Sequence, residues 1–220
     1  KRLGLRLFRG TSSATASTSD ISQAAIEKLI DDRWPMGSDR APDEYSGLPA
    51  AEDLVCEPPD LDLVDDRAGG VGVEEKIRLA REAEASALSL DSRLINSEGA
   101  EFSNHLNRVI YASSLGFAGE YRSTMFGLSV APVAGENGAM QRDSWYSMKR
   151  KFAELERPEA IGQKAAQRAL RKLGAKKVTT RDVPVVFDPE TGASLLRHLS
   201  SAVSGYSLYK KASFLFGKLG

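Results

Sequence analysis

Two histidines and one cysteine bound the side-chain chemistry open to this 220-residue chain. His198 lies in the run LLRHLSSAV. A metalloprotease helix sets two histidines one turn apart with a glutamate between them, so that both imidazoles face one metal. Here the positions three and four residues after His198 hold Ser201 and Ala202, so no second ligand follows. His105 has Glu101 four residues before it, but it sits in a predicted turn and strand, where helical spacing brings nothing together. Cys56 precedes Glu57-Pro58-Pro59 in an acidic stretch with no basic neighbour to lower its thiol pKa. A nucleophile paired with a base is therefore not legible. A single cysteine also excludes an internal disulfide framework and fits a reducing, cytoplasmic setting.

The most distinctive segment is GAMQRDSWYSMKR. Read as a strand, it puts Arg142, Ser144 and Tyr146 on one face and Gln141, Asp143 and Trp145 on the other. The first face offers Arg and Tyr donors to an extended peptide. The competing reading is a cross-strand pairing that holds register. Gly-rich turns near arginines do not form the strand–loop–helix pattern of a phosphate cradle.

These residues must be positioned by a core, and 41% hydrophobic residues with 27% charged provide one. Thirty basic residues balance thirty acidic ones, which argues against a nucleic-acid partner. The balance hides a polarity. Residues 1–100 carry 12 basic and 20 acidic side chains, and residues 101–220 carry 18 and 10. Mutual attraction of the two halves, or of a partner, accounts for this better than a basic tail does. No run approaches the roughly 18–20 apolar residues of a membrane span, so no membrane association is expected.

The spacing predicts an opening strand at Leu3, Leu5 and Leu7, a turn at Gly10-Thr11 and a returning strand from Ala14 to Thr18. Ser22 is placed to cap a helix that Pro35 stops. Residues 35–72 hold five prolines and many acids and read as a long connector. A helix follows over 73–90, with Ile77, Ala80, Ala83, Ala87 and Leu88 on its apolar side. Four strands are expected near 93–97, 106–113, 119–131 and 139–150, with turns at Glu98-Gly99, Leu115-Gly116 and Glu136-Asn137-Gly138. Short turns imply an antiparallel meander with the 73–90 helix packed on one face. Pro158 opens a further helix with Ile161, Ala165, Ala166, Ala169, Leu170 and Leu173 on one side and Gly174 at its end. Val183 to Phe187 reads as a short strand, followed by a helix that Asp188 caps, Pro189 opens and Gly205 closes. The fold class is α+β: an antiparallel β-meander with packed helices, then the start of a C-terminal β-rich domain. Domain boundaries are expected at 1–58 (the end of an N-terminal α+β region), 59–176 (helix and sheet) and 177–220.

The segments LINSEGAEFS, SSLGFAGEYRST, GAMQRDSWYS, RPEAIGQKAAQRAL, VPVVFDPETGASLLRHLSSAVSG and SFLFGKLG occur in this order. Together they resemble the PmbA (TldE) branch of the TldD/PmbA family, from Leu3 to Gly220. Family members are about twice this length, so the resemblance implies a piece lacking the first strands and helix and most of the C-terminal domain. Such a piece is expected to be unstable alone, with Leu195, Leu196, Leu199, Val203, Phe214 and Phe216 uncovered.

The resemblance implies proteolysis of unfolded peptides, including antitoxin and microcin precursors, by a cytosolic zinc protease that pairs TldD with PmbA. In the TldD branch an HExxxH helix supplies the zinc ligands and the general base. Aligned on the double leucine, the first His falls on Arg197, the Glu on His198 and the second His on Ala202. Arg cannot ligate a cation and Ala has no donor atom. The resemblance thus implies a subunit with no catalytic or metal-binding residue of its own, zinc held by a TldD-like partner, and a peptide substrate, for which the strand alternation offers Arg142 and Tyr146 as contacts. An alternative implied by the family's other name is a regulator of DNA gyrase. A free-standing peptidase of another mechanism would need a nucleophile–base pair.

Overall fold

Leu3, Leu5 and Leu7 take the more sheltered side of strand β1 (Leu3–Arg9), which pairs antiparallel with β2 (Ser12–Thr18) as their alternation predicts. The structure is a computed structural model describing residues 1–33, 43–55 and 59–218. Helix α1 (Gln23–Arg33) starts after Ser22, whose Oγ accepts from the Ala25 N–H at 3.4 Å. Pro35 and Cys56 lie outside the described residues. Residues 1–174 and 175–220 form two compact units.

Within the first unit, α2 (Val73–Leu88) and α3 (Pro158–Leu170) lie against one face of an antiparallel sheet. Strands β3 (Leu94–Ala112) and β4 (Ala118–Glu136) are 19 residues each, and β5 (Ala139–Arg142) and β6 (Trp145–Lys149) both pair with β4. The meander is therefore as expected, with two differences. Glu98-Gly99 is not a turn but a bulge inside β3, where the register shifts between Ser97 and Ala100. Gly99 takes φ 120°, a conformation open to glycine, so the strand kinks and continues. The expected strand over 139–150 is interrupted at Asp143-Ser144. Its pairing register on β4 nevertheless carries through from Val133–Arg142 to Val130–Trp145. The Asn137-Gly138 turn forms as predicted, both residues with positive φ.

The core lies between the helices and the even-numbered residues of β4. Leu128, Val130 and Ala134 pack with Leu79, Ala83 and Ala87 of α2 and with Ile161, Ala165, Ala166 and Ala169 of α3. On α2 the buried stripe passes through Leu79, while Ile77, expected inside, is half exposed. The sheet meets α2 along the 79–83–87 line, a choice of face that a helix with mixed composition leaves to its neighbours.

The predicted connector is less loose than its prolines imply. Thr124, fully buried on β4, donates its hydroxyl to the Arg150 carbonyl at 2.7 Å and accepts from the Asp65 N–H at 3.0 Å. Asp65 caps a 3-10 turn (Asp66–Gly69) and accepts from the Phe152 N–H. Asn104 reaches the Ala68 carbonyl at 2.7 Å. Lys151–Asp62 and Arg142–Glu98 join basic residues of the second half to acidic residues of the first.

The second unit has helices α4 (Pro189–Ala202) and α5 (Gly205–Tyr209) and no strand among its described residues. The strand expected over 183–187 is absent, and Val186 is 97% exposed. An apolar run without a hydrogen-bonded neighbour has no reason to hold extended pairing geometry. Asp188 caps α4 through Glu190 and Pro189 opens it, as predicted. Gly205 does not close that helix but opens α5, because Ser204 accepts from the Ser207 N–H and so acts as an N-cap. Leu195, Leu196, Leu199, Val203, Phe214 and Phe216 are all about half exposed or more. No helix of the described residues is long and apolar enough to cross a membrane.

A candidate peptide face and a helix without metal ligands

The face of the sheet opposite the helices carries the odd-numbered residues of β4. Gly127, Ser129 and Ala131 give it a low floor. The bulge from Glu98 to Glu101 stands on one side, and Tyr146 and Met148 on the other, around a trough of about 590 Å³. A Cβ added at Gly127 would come within 2.9 Å of Ser103 Oγ, a hydroxyl that would have to turn aside. Arg142 and Tyr146 stand opposite Val133 and Ser129, and both sit on this open face. Tyr146 is 53% exposed, and Arg142 pairs with Glu98 across the sheet. The structure brings the two residues to one face, as the alternation predicts.

The other face of the same segment is structural. The Trp145 ring lies under Lys164, whose Nζ is 3.5 Å from the ring centroid, with Arg168 at 5.3 Å. The indole N–H donates to Glu156 at 3.3 Å. Asp143 pairs with Lys172 at 3.0 Å and Arg168 at 3.4 Å. Partial burial resists ionisation of Asp143, but hydrogen bonds from Lys172 and the Ser144 N–H, with the charge of Arg168, outweigh it and hold the carboxyl below its ordinary value. The cluster explains the break between β5 and β6: Asp143 leaves the ladder to meet α3. Sequence reasoning put Asp143 and Trp145 on one face but did not find their partners: Glu156 just before α3, Lys164 and Arg168 on it, and Lys172 in the turn after it. The only local signal was the basic stripe Lys164–Arg168–Lys172, spaced one helical turn apart.

Other carboxylates are depressed too. The Arg93 guanidinium and N–H pull Asp91 down to about 2. Amide donors from Phe152 and Arg67 lower Asp65, and the Arg108 hydrogen bond lowers Glu120. A carboxyl whose folded pKa lies below its unfolded value of about 3.9–4.3 stabilises the fold above that range and loses the contribution as pH falls through the folded value. Thermal unfolding midpoints should therefore be level from pH 7 to 5 and fall between about 4 and 2, with part of the fall removed in Asp143→Asn. A loss centred near neutral pH would contradict this.

Helix α4 carries Arg197, His198 and Ala202, the residues that the resemblance aligns with an HExxxH helix. Arg197 and His198 are exposed, and Ala202 is buried with its carbonyl accepting from Ser213 Oγ at 2.7 Å. One imidazole, one fixed cation and one methyl do not make a zinc site, which needs about three donor side chains. Among the described residues, no three His, Cys, Asp or Glu side chains cluster to hold a metal ion. His105 stands on β3 opposite Met125, exposed.

Comparison with known proteins places the chain. Residues 66–173 match the family model of the PmbA/TldA metallopeptidase central domain, and residues 180–220 match that of its C-terminal domain. The fold is thus that of a metallopeptidase-family protein, an antiparallel sheet backed by two helices and followed by a second unit. The chain belongs to the PmbA/TldD family. It is 34% identical over 218 residues to the metalloprotease PmbA homolog of Haemophilus influenzae and 35% identical over 218 residues to metalloprotease PmbA of Escherichia coli O157:H7. Each match covers 99% of this chain and 48% of the relative, so the chain spans about half the length of these curated relatives. A crystal structure from Bacteroides thetaiotaomicron, of a protein carrying the name modulator of DNA gyrase, superposes with TM-score 0.85 at 31% identity, covering 98% of this chain and 49% of that one. TldE from Thermococcus kodakarensis shares the fold at TM-score 0.74 and 18% identity, over 100% of this chain and 49% of that one.

Proposed function

We propose that this chain is part of a PmbA/TldE-like subunit of a cytoplasmic zinc metalloprotease complex, in which a TldD-like partner holds the zinc and this subunit helps to guide unfolded peptide substrates. The observation that carries the reading is the donor set of α4, Arg197, His198 and Ala202, in a chain whose family is a metallopeptidase family. Nothing at those positions supplies a second ligand or a general base, and a fixed arginine charge there opposes a dication. The open sheet face with Arg142 and Tyr146 provides donors and an aromatic ring to a peptide in extended form. The substrates expected are unstructured polypeptides such as antitoxin or microcin precursors.

The reading is tested by the metal content of the purified full-length protein. Zinc well below one equivalent per chain is expected, and a pull-down should recover an HExxxH-bearing partner. One tightly held zinc per chain, with chelator-sensitive peptide turnover by the protein alone, overturns it. A second reading, regulation of DNA gyrase, has in its favour the name of the Bacteroides relative. It predicts a change in gyrase supercoiling on adding the protein, which the protease reading does not.

A further inference from the structure

The chain has four asparagines, and the residue after each decides what its carboxamide can undergo. Asn96, Asn104 and Asn107 lie in β3 and precede Ser97, His105 and Arg108, whose side chains crowd the following main-chain nitrogen. Asn104 is also held by its bond to the Ala68 carbonyl, and the Ser97 N–H is taken up by Asn96 Oδ1 at 2.8 Å. Asn137 precedes Gly138, which has no Cβ. Both stand exposed at the tip of the β4–β5 hairpin, where the ladder stops at the Glu136–Ala139 pair. Among the described residues, neither the Asn137 carboxamide nor the Gly138 N–H has a hydrogen-bond partner. The β4 side of the tip is anchored: the Gly135 N–H donates to the Arg93 carbonyl at 2.7 Å, and Glu136 pairs with Arg93 at 3.6 Å. The other side is β5, only four residues long, with Ala139, Met140 and Arg142 exposed, so the tip can loosen locally at small cost.

We propose that Asn137 is a site of self-modification, its carboxamide converted by the Gly138 nitrogen through a succinimide, and that the β-linked product releases β5. Hydroxide takes the Gly138 amide proton, the nitrogen attacks Asn137 Cγ, and the carboxamide C–N bond breaks with loss of ammonia. Water then opens the ring in one of two ways. Breaking the new N–Cγ bond leaves aspartate. Breaking the original peptide bond leaves isoaspartate, in which the main chain runs through the side-chain carbon. Aspartate before glycine suits the same two-residue turn, so that product keeps the hairpin. Isoaspartate puts one more carbon into the main chain of the loop, and the loop length sets the register from Glu136–Ala139 to Val133–Arg142. A strand of four residues has few ladder bonds with which to resist the change, so Arg142 loses its place opposite Val133. The inference does not rest on the proposed function, because the reaction needs only water.

The test keeps the full-length protein in warm, mildly alkaline buffer and follows each asparagine by peptide mapping, with electron-transfer fragmentation to separate the two linkages. Conversion at Asn137 is expected to run at least roughly tenfold faster than at Asn96, Asn104 or Asn107, whose segments must first leave the ladder. Both aspartate and isoaspartate should form. Brief trypsin digestion reads the consequence. Aged protein rich in isoaspartate should be cut after Arg142 at least roughly tenfold faster than fresh protein, because cleavage follows the population of the opened strand. Freshly purified Asn137→Asp should be cut like the parent, which separates the linkage from the charge. Asn137→Gly, which also suits the turn, should neither convert nor change in its cleavage after the same incubation. Conversion at Asn137 no faster than at the other three asparagines overturns the proposal. So does aspartate as the sole product, or isoaspartate-bearing protein cut after Arg142 no faster than fresh protein.

Discussion

Peptide hydrolysis by the full-length protein is expected to stay at background until a partner carrying HExxxH is added, and then to rise by on the order of 10⁶-fold or more, the usual scale of enzymatic acceleration. The reason is the composition of α4. A catalytic zinc uses about three protein ligands and a bound water whose pKa it lowers to near 7. Arg197 and Ala202 cannot ligate, and His198 alone cannot hold the ion. A chelator should return the reconstituted rate to background, and added zinc should restore it. In that mixture, Arg142→Ala and Tyr146→Ala should raise KM several-fold while leaving kcat nearly unchanged, the pattern of residues that hold substrate without touching the reacting bond. Rates measured on an unstructured fluorogenic peptide check both parts. Turnover by this protein alone, abolished by chelator, would refute the division of labour.

Replacing Gly162, buried where α3 faces α2, is expected to destabilise the first unit. Gly162 faces α2 from within α3, and a Cβ there would stand 2.3 Å from the Ala83 carbonyl oxygen and 2.9 Å from the Ala87 nitrogen. Both are main-chain atoms of a helix and cannot rotate aside. Alanine is the better helix former by about 1 kcal/mol, so on propensity alone Gly162→Ala would stabilise. The forced separation of α2 and α3 costs about 1–3 kcal/mol or more, and with rigid backbone on the far side the upper end applies. A net loss of about 2 kcal/mol is expected for Gly162→Ala and more for Gly162→Val. At about 2–4 °C per kcal/mol for a unit of this size, the alanine variant should melt about 4–8 °C lower. The displaced α3 also carries Lys164 and Arg168 and leads into Lys172, so the acid-side fall in stability attributed to Asp143 should shrink in the same variant. A higher melting temperature for Gly162→Ala would show that the helices are not in backbone contact.

Local signals in the chain were enough for much of the architecture. Asn137-Gly138 sets a two-residue hairpin because both positions need positive φ, and Pro158 opens α3 because it pre-sets the first turn, whereas the helix ends at Leu170 and Gly174 serves the turn that follows. That Arg197 and Ala202 cannot ligate a metal was also legible, since it depends on residue chemistry alone. The sharing of one face by Arg142 and Tyr146 followed from the period of a strand, and the register on β4 preserves it across the break. Other features were settled only by contacts distant in sequence. Gly99 and Gly116 look alike as turn signals, yet the first makes a bulge and the second a hairpin turn, because β4 is long enough to pair with β3 on both sides of the bulge. Val183–Phe187 has the composition of a strand but no described neighbour in its unit to pair with. Leu79 rather than Ile77 faces the core because the sheet approaches α2 from that side. Asp143 leaves the ladder because Arg168 on α3 and Lys172 just after it wait on a part of the chain reached only later. Side-chain chemistry, period and φ preference are properties of neighbouring residues and can be read along the chain. Which face is buried, where a strand finds its partner and which charges meet depend on residues that only folding brings together.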